Sequence, residues 1–390
     1  MSERKAPCTT RATSVRPPKV RLGEVCKEYS SRNKDGAIKV VFSVTNSQGF
    51  VPSNEYFNKE VFSKNLTTYK VVKKGMFAYN PSRINVGSVG CYRDDSPVVV
   101  SPLYIVFGVD ETKVDSRYLL AFLKSERALV QVRNLTSGSV RDSLKFSAFC
   151  QLKFPSISLC EQRGTAARLD RICSVIEKRK AQLSQLQQLV KSRFVEMFGD
   201  VGRTPNHWPI VSFDDVAEIE SGLTTDFMRY SDCPHIGIDS IEKDTGALKG
   251  YRTVAEDKLT SGKYYFTDRH IIYSKIRPNL NKVALPTFEG LCSADAYAIL
   301  PKEGTDRVFF AFVIRSKRFL DYILPLSGRS GMPKVNQTQV RGFCFPLPPL
   351  ALQREFAAFV EKVDKLAFAV RKSLETAERL YRQQLSEAFS

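Results

Sequence analysis

The sequence predicts a tandem duplication in which a globular α/β (α+β) domain is followed by a long helix, with the two helices packed as an antiparallel coiled coil. Two observations carry this prediction. The stretch FPSISLCEQR, which begins at Phe154, returns as FPLPPLALQR from Phe345, 191 residues later. Each stretch is followed by a proline-free run whose apolar residues recur at steps of three and four, the spacing of helices packed along a seam.

The repeat covers nearly the whole chain. At an offset of 191, residues 154–198 align without a gap to residues 345–389, and VRLGEVCKEYS from Val20 lies over VSFDDVAEIES from Val211. Between these ends the offset drifts to 194, which matches Tyr79, Arg83 and Asn85 with Tyr273, Arg277 and Asn279. An offset that drifts and then returns indicates loop insertions and deletions inside a shared framework.

The two regular runs predict helices that use the same heptad register. The first seam is Leu169, Ile172, Ile176, Leu183, Leu186, Val190 and Met197, interrupted by Arg179 and Arg193. The second is Val360, Val363, Ala367, Val370, Leu374, Ala377, Tyr381 and Ala388. A helix of about 36 residues is roughly 54 Å long. Each stripe could pack on its own globular domain, but we expect the two stripes to pack on each other. Antiparallel packing is favoured because a parallel pair would force the second domain to span back along the full length.

The segments before each helix read as mixed α and β structure. Short β-branched and aromatic runs such as IKVVFSV, PVVVS, LYIVFGV, HIIYSKI and DAYAIL alternate with helical patterns such as DSRYLLAFLKSERALVQVR. We therefore predict a disordered basic tail over residues 1–19, a first globular domain over 20–158 and a first spacer helix over 159–200. A second domain follows over 207–349 and a second spacer helix over 350–390.

The charge balance indicates a polyanionic partner. The chain has 59 lysines and arginines against 41 aspartates and glutamates, a net charge of +18. A basic balance of this size is typical of nucleic-acid binding, although a merely basic surface would also produce it. The nine cysteines and three histidines show no metal-ligand spacing. We see no glycine-rich cofactor loop and no phosphate loop. Asn80-Pro81 matches only part of an adenine-methyltransferase motif. We therefore predict no catalytic site, no cofactor and no metal.

Basic, amide and tyrosine side chains collect beside turn signals at equivalent places in both halves, and these residue types hold phosphates or read base edges. Each loop taken singly could equally be solvated surface, and the recurrence places contact with base edges or phosphates on a par with that reading. The candidate contact residues of the first half are Lys73, Lys74, Tyr79, Arg83, Asn85, Ser139, Arg141 and Lys145. Those of the second half are Tyr273, Lys275, Arg277, Asn279, Lys282, Arg329, Lys334, Asn336 and Gln337.

At this point the sequence resembles the specificity (S) subunit of type I restriction–modification systems. The resemblance covers residues 20–390 and is carried by His207-Trp208-Pro209 with FDDVAEIESG, by the Ser-Gly segments near Ser137 and Ser327, and by the junction FPLPPLALQREFAAFVEKVD. The first junction departs from the pattern, because FPSISLCEQRG lacks the second proline and places Gly164 near the start of the helix.

The resemblance implies a non-catalytic DNA sequence-recognition subunit, with double-stranded DNA as its partner. Each globular domain would be a target recognition domain that reads one half of a bipartite, asymmetric target. The helices would set the half-site spacing and dock two methyltransferase (M) subunits, and restriction (R) motor–nuclease subunits would join that complex. No apolar run approaches the roughly 18 residues that a membrane span needs, and scattered reduced thiols are typical of a cytosolic protein, so we expect a cytoplasmic location with no membrane contact. The alternatives are a coiled-coil DNA-binding regulator or scaffold unrelated to restriction, and an enzyme with an unrecognised site.

Overall fold

The computed structural model describes residues 17–56, 63, 65–136, 143–199, 208–328 and 331–390. The chain divides into two compact units. The first consists of Met1–Lys180 with Lys372–Ser390, and the second of Ala181–Arg371. Most of the predicted basic tail lies outside the described residues, and the predicted domain boundaries stay a prediction.

The first copy of the repeat begins with short strands and ends in a long helix. Its elements are β1 (Lys19–Arg21), β2 (Cys26–Tyr29), β3 (Phe42–Thr45), β4 (Gly49–Pro52), α1 (Ser53–Tyr56), β5 (Lys70–Val72), β6 (Phe77–Tyr79), β7 (Val89–Cys91), β8 (Val98–Val100), β9 (Ile105–Val109), α2 (Ser116–Leu123), α3 (Glu126–Thr136), α4 (Phe146–Phe149), β10 (Lys153–Pro155) and α5 (Leu159–Phe198).

The second copy has the same order of elements at both ends and one more strand between β12 and β17 than the first has between β2 and β6. Its elements are β11 (Ile210–Ser212), α6 (Phe213–Val216), β12 (Ala217–Ile219), β13 (Leu223–Thr224), β14 (Pro234–Ile236), β15 (Arg252–Thr253), α7 (Val254–Asp257), β16 (Lys263–Phe266), β17 (Ile271–Ser274), β18 (Val283–Ala284), β19 (Gly290–Cys292), β20 (Ala296–Pro301), α8 (Arg307–Arg315), α9 (Lys317–Leu326), α10 (Gln337–Arg341), β21 (Cys344–Pro346) and α11 (Leu350–Ala388).

Both copies share one structural framework, as the repeat predicts. The first contains an antiparallel sheet in the order β2-β9-β6-β7, and the second has the equivalent order β12-β20-β17-β18. Strand β1 pairs with β10 in the register Lys19↔Pro155, and β11 pairs with β21 in the register Ile210↔Pro346, which is the same pairing 191 residues later. The central strands β6 and β17 bury aromatic and β-branched residues such as Phe77, Tyr79, Ile271, Ile272 and Tyr273, which is the composition that predicts strands.

The two copies differ in the segment inserted into this framework. In the first copy, β3 pairs with β4 and β5 pairs with β8, which makes two small two-stranded sheets. In the second copy, the corresponding segment forms a five-stranded sheet in the order β13-β16-β19-β14-β15. The offset shifts within this inserted segment, so strands β6 and β17 match at 194 residues, and it returns to 191 residues at β9 and β20.

A buried glutamine explains why the junction is repeated. Gln162, near the start of α5, accepts a hydrogen bond from the backbone N–H of Asp115 (2.9 Å) and donates to the carbonyl oxygens of Ile157 (2.8 Å) and Lys113 (3.1 Å). Its counterpart Gln353 accepts from the N–H of Asp306 (2.8 Å) and donates to the carbonyls of Pro348 (2.8 Å) and Gly304 (3.3 Å). The two glutamines are 1% and 0% exposed. Each is bonded to the aspartate whose carboxylate caps a domain helix, Asp115 for α2 and Asp306 for α8.

Within each unit, segments of the two long helices pack antiparallel along the predicted seam. In the first unit, Cys173 of α5 is hydrogen-bonded to Tyr381 of α11, while Ala166 and Phe389 share one hydrophobic cluster. In the second unit, Phe194 near the end of α5 meets Phe356 near the start of α11, with ring centres 5.4 Å apart. The predicted coiled coil is confirmed by this packing.

Arg193, which interrupts the first seam, finds its partners on the opposite helix. Its guanidinium pairs with Glu355 of α11 (2.9 Å) and lies over the ring of Phe359 (5.9 Å). A second ion pair within α5 joins it to Glu196 (3.0 Å). Gly199, with φ of 73°, ends this helix in the left-handed conformation that glycine adopts most readily.

The aromatic residue at the end of each long helix packs on a domain helix of the same unit. Phe389, directly after α11, contacts Tyr118 and Phe122 of α2, with ring centres 5.0 and 5.5 Å apart. Phe198 of α5 contacts Phe309 of α8, with ring centres 4.9 Å apart. Phe198 and Phe389 occupy equivalent positions of the repeat, as do Tyr118 and Phe309, so the two copies use the same anchor.

We expect Gln353→Leu to lower the free energy of unfolding by about 1–3 kcal/mol, because a leucine of similar size leaves the N–H of Asp306 and two carbonyl oxygens without partners. Urea denaturation of the purified chain measures this. The neighbouring exposed Arg354→Leu is the control and should change stability by no more than about 0.5 kcal/mol. A Gln353→Leu midpoint equal to that of the unaltered chain would contradict the role given to this glutamine.

Candidate nucleic-acid interface

In the first copy, residues 83–87 form an exposed turn between strands β6 and β7, which we call the Arg83 turn. It contains one 3₁₀ turn, Ile84–Val86, closed by Gly87 at φ of 84°, whose N–H donates to the carbonyl of Ile84 (2.9 Å). The side chains of Arg83 and Val86 are exposed, and that of Asn85 is half-buried. Two strands of the framework thus present an arginine and an asparagine to solvent.

In the second copy, residues 277–281 form the equivalent Arg277 turn between strands β17 and β18. It contains the 3₁₀ turn Pro278–Leu280, closed by Asn281 at φ of 48°, whose N–H donates to the carbonyl of Pro278 (3.0 Å). Arg277 and Asn279 are both exposed. Asn281 stands at the position of Gly87, so the same left-handed residue closes both turns.

A second basic segment lies against each turn. In the first copy, the N–H of Leu144 donates to the carbonyl of Pro81 (3.0 Å), which brings the exposed Lys145 beside the Arg83 turn. In the second copy, the N–H of Arg277 donates to the carbonyl of Pro333 (2.8 Å), and the N–H of Val335 donates to the carbonyl of Lys275 (2.9 Å). The structure therefore brings Lys275, Arg277, Asn279 and Lys334 together from two separate stretches of the sequence.

The lysines of the second copy sit in a defined electrostatic setting. The ammonium of Lys275 lies 5.2 Å from the ring centre of Tyr297, and Nζ of Lys334 lies 3.2 Å from Oδ1 of Asp295. Burial lowers the pKa of Lys275, and the nearby Lys334 lowers it further, whereas Asp295 acts in the opposite direction. A phosphate placed beside these two lysines would relieve the cost of holding them close together.

The two tyrosines among the predicted contact residues belong to the core. Tyr79 is 0% exposed and donates its hydroxyl to the carbonyl of Leu144 (3.1 Å). Tyr273 is 1% exposed and meets Phe319 edge-on, with ring centres 5.7 Å apart. This burial corrects the direct DNA contact predicted for both residues. Their rings support the strands from which the turns project.

Other predicted residues lie away from the turns or are engaged elsewhere. Lys73 and Lys74 precede β6, whereas the Arg83 turn follows it, and Lys74 pairs with Asp95 (2.6 Å). Lys282 is half-buried and donates to the carbonyl of Ile238 (2.8 Å). Asn336 caps α10 by accepting from the N–H of Gln339 (2.8 Å), and the half-buried Gln337 begins that helix. Ser139, Arg141 and Arg329 lie outside the described residues.

The sequence reading missed three residues that shape the second interface. Tyr297 donates its hydroxyl to the carbonyl of Val335 (3.1 Å), as Tyr79 does to the equivalent carbonyl in the first copy. Asp295 holds Lys334, and Asn281 closes the turn. The repeat offers no signal for Tyr297, because its counterpart at the offset of 191 is Val106. Asn281 could have been found as the counterpart of Gly87 at the offset of 194.

Two further findings concern the part of the chain that the structure describes. No three histidine, cysteine, aspartate or glutamate side chains gather there as possible metal ligands. No helix there combines the length and the apolar character needed to cross a membrane.

The arrangement suits recognition of a polyanion that carries base edges. Arginine and asparagine form paired hydrogen bonds with guanine and adenine edges in the major groove, and lysines contact phosphates.

The family model described as "Type I restriction modification DNA specificity domain" matches residues 205–378, which include the Arg277 turn and its supporting segment. The EcoDI specificity subunit of Escherichia coli, a type I restriction enzyme component, is 32% identical over 252 residues.

Residues 205–378 belong to the type I specificity-domain family.

Further relatives and solved structures extend this assignment. The match to the EcoDI subunit covers 56% of this chain and 56% of that protein, so the chain spans about half the length of this curated relative. The MjaVIII specificity subunit of Methanocaldococcus jannaschii is 23% identical over 68% of this chain and 67% of its own length. The crystal structure of a type I restriction–modification S subunit from M. genitalium has a TM-score of 0.57 at 13% identity and covers 99% of both chains.

A second structural neighbour comes from work on complex assembly and conformational transition of the type I restriction–modification system. It has a TM-score of 0.53 at 16% identity and covers 97% of this chain and 99% of the other. At these identities the two structures show that the fold is that of the family. The family model covers the second copy, and the offset of 191 residues extends the same framework to the first.

We expect Arg277→Ala and Asn279→Ala each to weaken DNA binding by about 1–3 kcal/mol if the side chain reads a base, because its hydrogen bonds to that base are lost. A phosphate contact would instead weaken all sequences alike and flatten the salt dependence. Binding to duplexes at several salt concentrations separates the two roles. Arg269→Ala, an exposed arginine at the other end of β17, is the matched control. Unchanged affinity in both turn variants would leave the Arg277 turn as ordinary solvated surface.

Proposed function

We propose that the chain is the DNA sequence-recognition subunit of a type I restriction–modification complex and that each copy reads one half of a bipartite target. The observation that carries the proposal is the exposed arginine–asparagine turn, which recurs on the same framework in both copies. The family match of residues 205–378 and the net charge of +18 support DNA as the ligand. We place this activity in the cytoplasm.

The two half-sites are expected to differ in sequence. The framework is shared, but the inserted segments form two small sheets in one copy and a five-stranded sheet in the other. The turns also differ around the common arginine and asparagine, with Ile84 and Val86 in one and Pro278 and Leu280 in the other. Different side chains on equal supports favour an asymmetric target with one half read by each domain.

We assign the long helices to two tasks, spacing the two domains and docking methyltransferase subunits. Spacing is supported by the seam that both helices bury and by the anchoring of each helix end on a domain helix. A helical pair with fixed ends has a fixed length, so it can hold a fixed number of untouched base pairs between half-sites. Restriction motor–nuclease subunits would join the complex through the methyltransferases.

Docking of two copies of one partner is supported by exposed apolar residues at equivalent positions. Val175 of α5 and Leu366 of α11 are 42% and 58% exposed, and they lie 191 residues apart. Leu189 and Leu380 form a second such set at 48% and 44% exposure. An apolar side chain that recurs outside the seam in both copies fits a surface used twice by the same partner. We propose that methyltransferase subunits bind at these exposed apolar residues, and we assign the chain itself no catalytic role.

Methylation profiling of the host genome, with and without this gene, tests the proposal. We expect one bipartite motif to be methylated only when the gene is present. Replacing residues 20–150 with the matching part of a relative should change one half of that motif and leave the other intact. The proposal is contradicted if no methylated motif depends on the gene, or if the replacement changes both halves of the motif together. Either result would favour a DNA-binding regulator or scaffold.

The docking assignment is tested in the same assay. The double variant Val175→Asp with Leu366→Asp should abolish methylation of the motif and co-purification of methyltransferase, while the purified chain still binds the target duplex. Ser174→Asp adds a charge to the neighbouring exposed position and serves as the control. Normal methylation by the double variant would remove these residues from the docking surface.

A further inference from the structure

The Arg277 turn holds two residues in a backbone conformation that non-glycine residues rarely adopt. Arg277 has φ of 50° and Asn281 has φ of 48°, so left-handed residues stand at both ends of the turn. Such conformations cost of order 1 kcal/mol each and persist only where the surrounding structure holds them. The equivalent closing residue of the first copy is Gly87, for which the left-handed region carries no such penalty. The second turn therefore needs support that the first does not.

That support comes from Arg315, the last residue of α8. The Nδ2 of Asn281 donates to the backbone carbonyl of Arg315 (3.0 Å). The guanidinium of Arg315 in turn donates through Nη2 to the carbonyl of Val283, two residues beyond the end of the turn. One residue thus accepts from the turn and donates to the strand that leaves it.

The guanidinium is enclosed rather than presented to solvent. It lies over the ring of Phe312 (5.4 Å), and its Nε is buried without a hydrogen-bond partner. A Cβ built on Gly246 would stand 2.2 Å from Nη2 and 1.7 Å from the carbonyl oxygen of Val283, so backbone closes the site on that side. Arg315 is therefore placed to act on the turn and not on a ligand.

The spacer helix supplies the charge opposite this arginine. Burial lowers the pKa of Arg315 to about 10, and the carboxylate of Asp364 on α11 opposes that shift. Arg315 thus keeps its charge at neutral pH. A buried cation is costly unless opposite charge and hydrogen bonds compensate it.

The first copy has different residues at the equivalent positions. At an offset of 191, Lys124 stands where Arg315 does, and Cys173 stands where Asp364 does. Burial lowers the pKa of Lys124 as well. A lysine ammonium is a point charge and lacks the planar set of donors of a guanidinium. The lysine occurs in the copy whose turn is closed by glycine. The arginine therefore occurs in the copy whose turn carries the strained asparagine.

We propose that Arg315 is a positioning residue for recognition of the second half-site. It holds the Arg277 turn in the conformation that presents Arg277 and Asn279, without touching DNA itself. This inference rests on the proposed function. It adds that specificity at one half-site depends on a residue behind the turn, and that the other half-site does not depend on its counterpart to the same degree.

The test uses the full chain assembled with its methyltransferase subunits and the duplex whose motif the profiling experiment identifies. Arg315→Met should lower affinity at least tenfold on this duplex. On a duplex whose second half-site is scrambled, Arg315→Met and the unaltered protein should bind alike. Arg315→Lys should lose less, because it keeps the charge, and Lys124→Met is the matched control and should leave the second half-site unaffected.

A double-mutant cycle separates positioning from general destabilisation. In the Asn279→Ala background, Arg315→Met should cost clearly less than it does alone, because part of what it positions is already gone. Asn281→Gly is a milder variant that tolerates the left-handed conformation and removes only the bond to Arg315. It should show a smaller loss at the same half-site, which keeps the proposal testable if Arg315→Met folds poorly.

Two results would overturn the positioning role: unchanged affinity in Arg315→Met and Asn281→Gly, or equal losses on both half-sites. Either result would leave the proposed function standing, because the motif would still be methylated only with the gene. Absence of any methylated motif would instead remove the proposed function, so the two failures are distinguishable.

Discussion

A buried glutamine at the start of each long helix is the contact on which the rest of the structure depends. Gln162 and Gln353 each bond to the backbone that begins a domain helix and to the chain just before the spacer helix. A side chain with this many buried partners fixes the angle at which the helix leaves its domain, because any other angle would leave donors and acceptors unpaired. Because both copies make the same bonds, the junction between domain and helix is built in the same way twice.

The duplicated framework shows why much of the fold could be read from the sequence. Strand β9, the helix pair α2 and α3, and the long helix α5 have strong local patterns, and each returns 191 residues later in β20, α8, α9 and α11. A repeated pattern is in effect two observations of one structure. The inserted segments could not be read in this way, because they differ between the copies and their strand pairings join residues far apart in sequence, such as His235 with Leu291.

The exposed residues of the candidate site could be predicted from the sequence, whereas the buried residues that hold the turns could not. The repeat marked Arg83 with Arg277 and Asn85 with Asn279, and the structure places both pairs on equivalent turns. It marked Tyr79 and Tyr273 with equal force, although both are buried, because residues recur for packing as well as for binding. Arg315 gave no signal as the last residue of an apolar helix. Its importance appears only when Asn281 and Val283 are seen to converge on it.

We propose above that paired helices space two DNA-reading domains, and changing the helix length tests this proposal most directly. Deleting residues 183–189 together with 374–380 removes one heptad from each helix, keeps the seam in register and shortens the pair by about 10 Å. That is about three base pairs of duplex. Binding of the folded variant to duplexes with every gap length should show the same half-sites and a shorter preferred gap, or loss of binding at the original gap. Undiminished binding at the original gap would contradict the account.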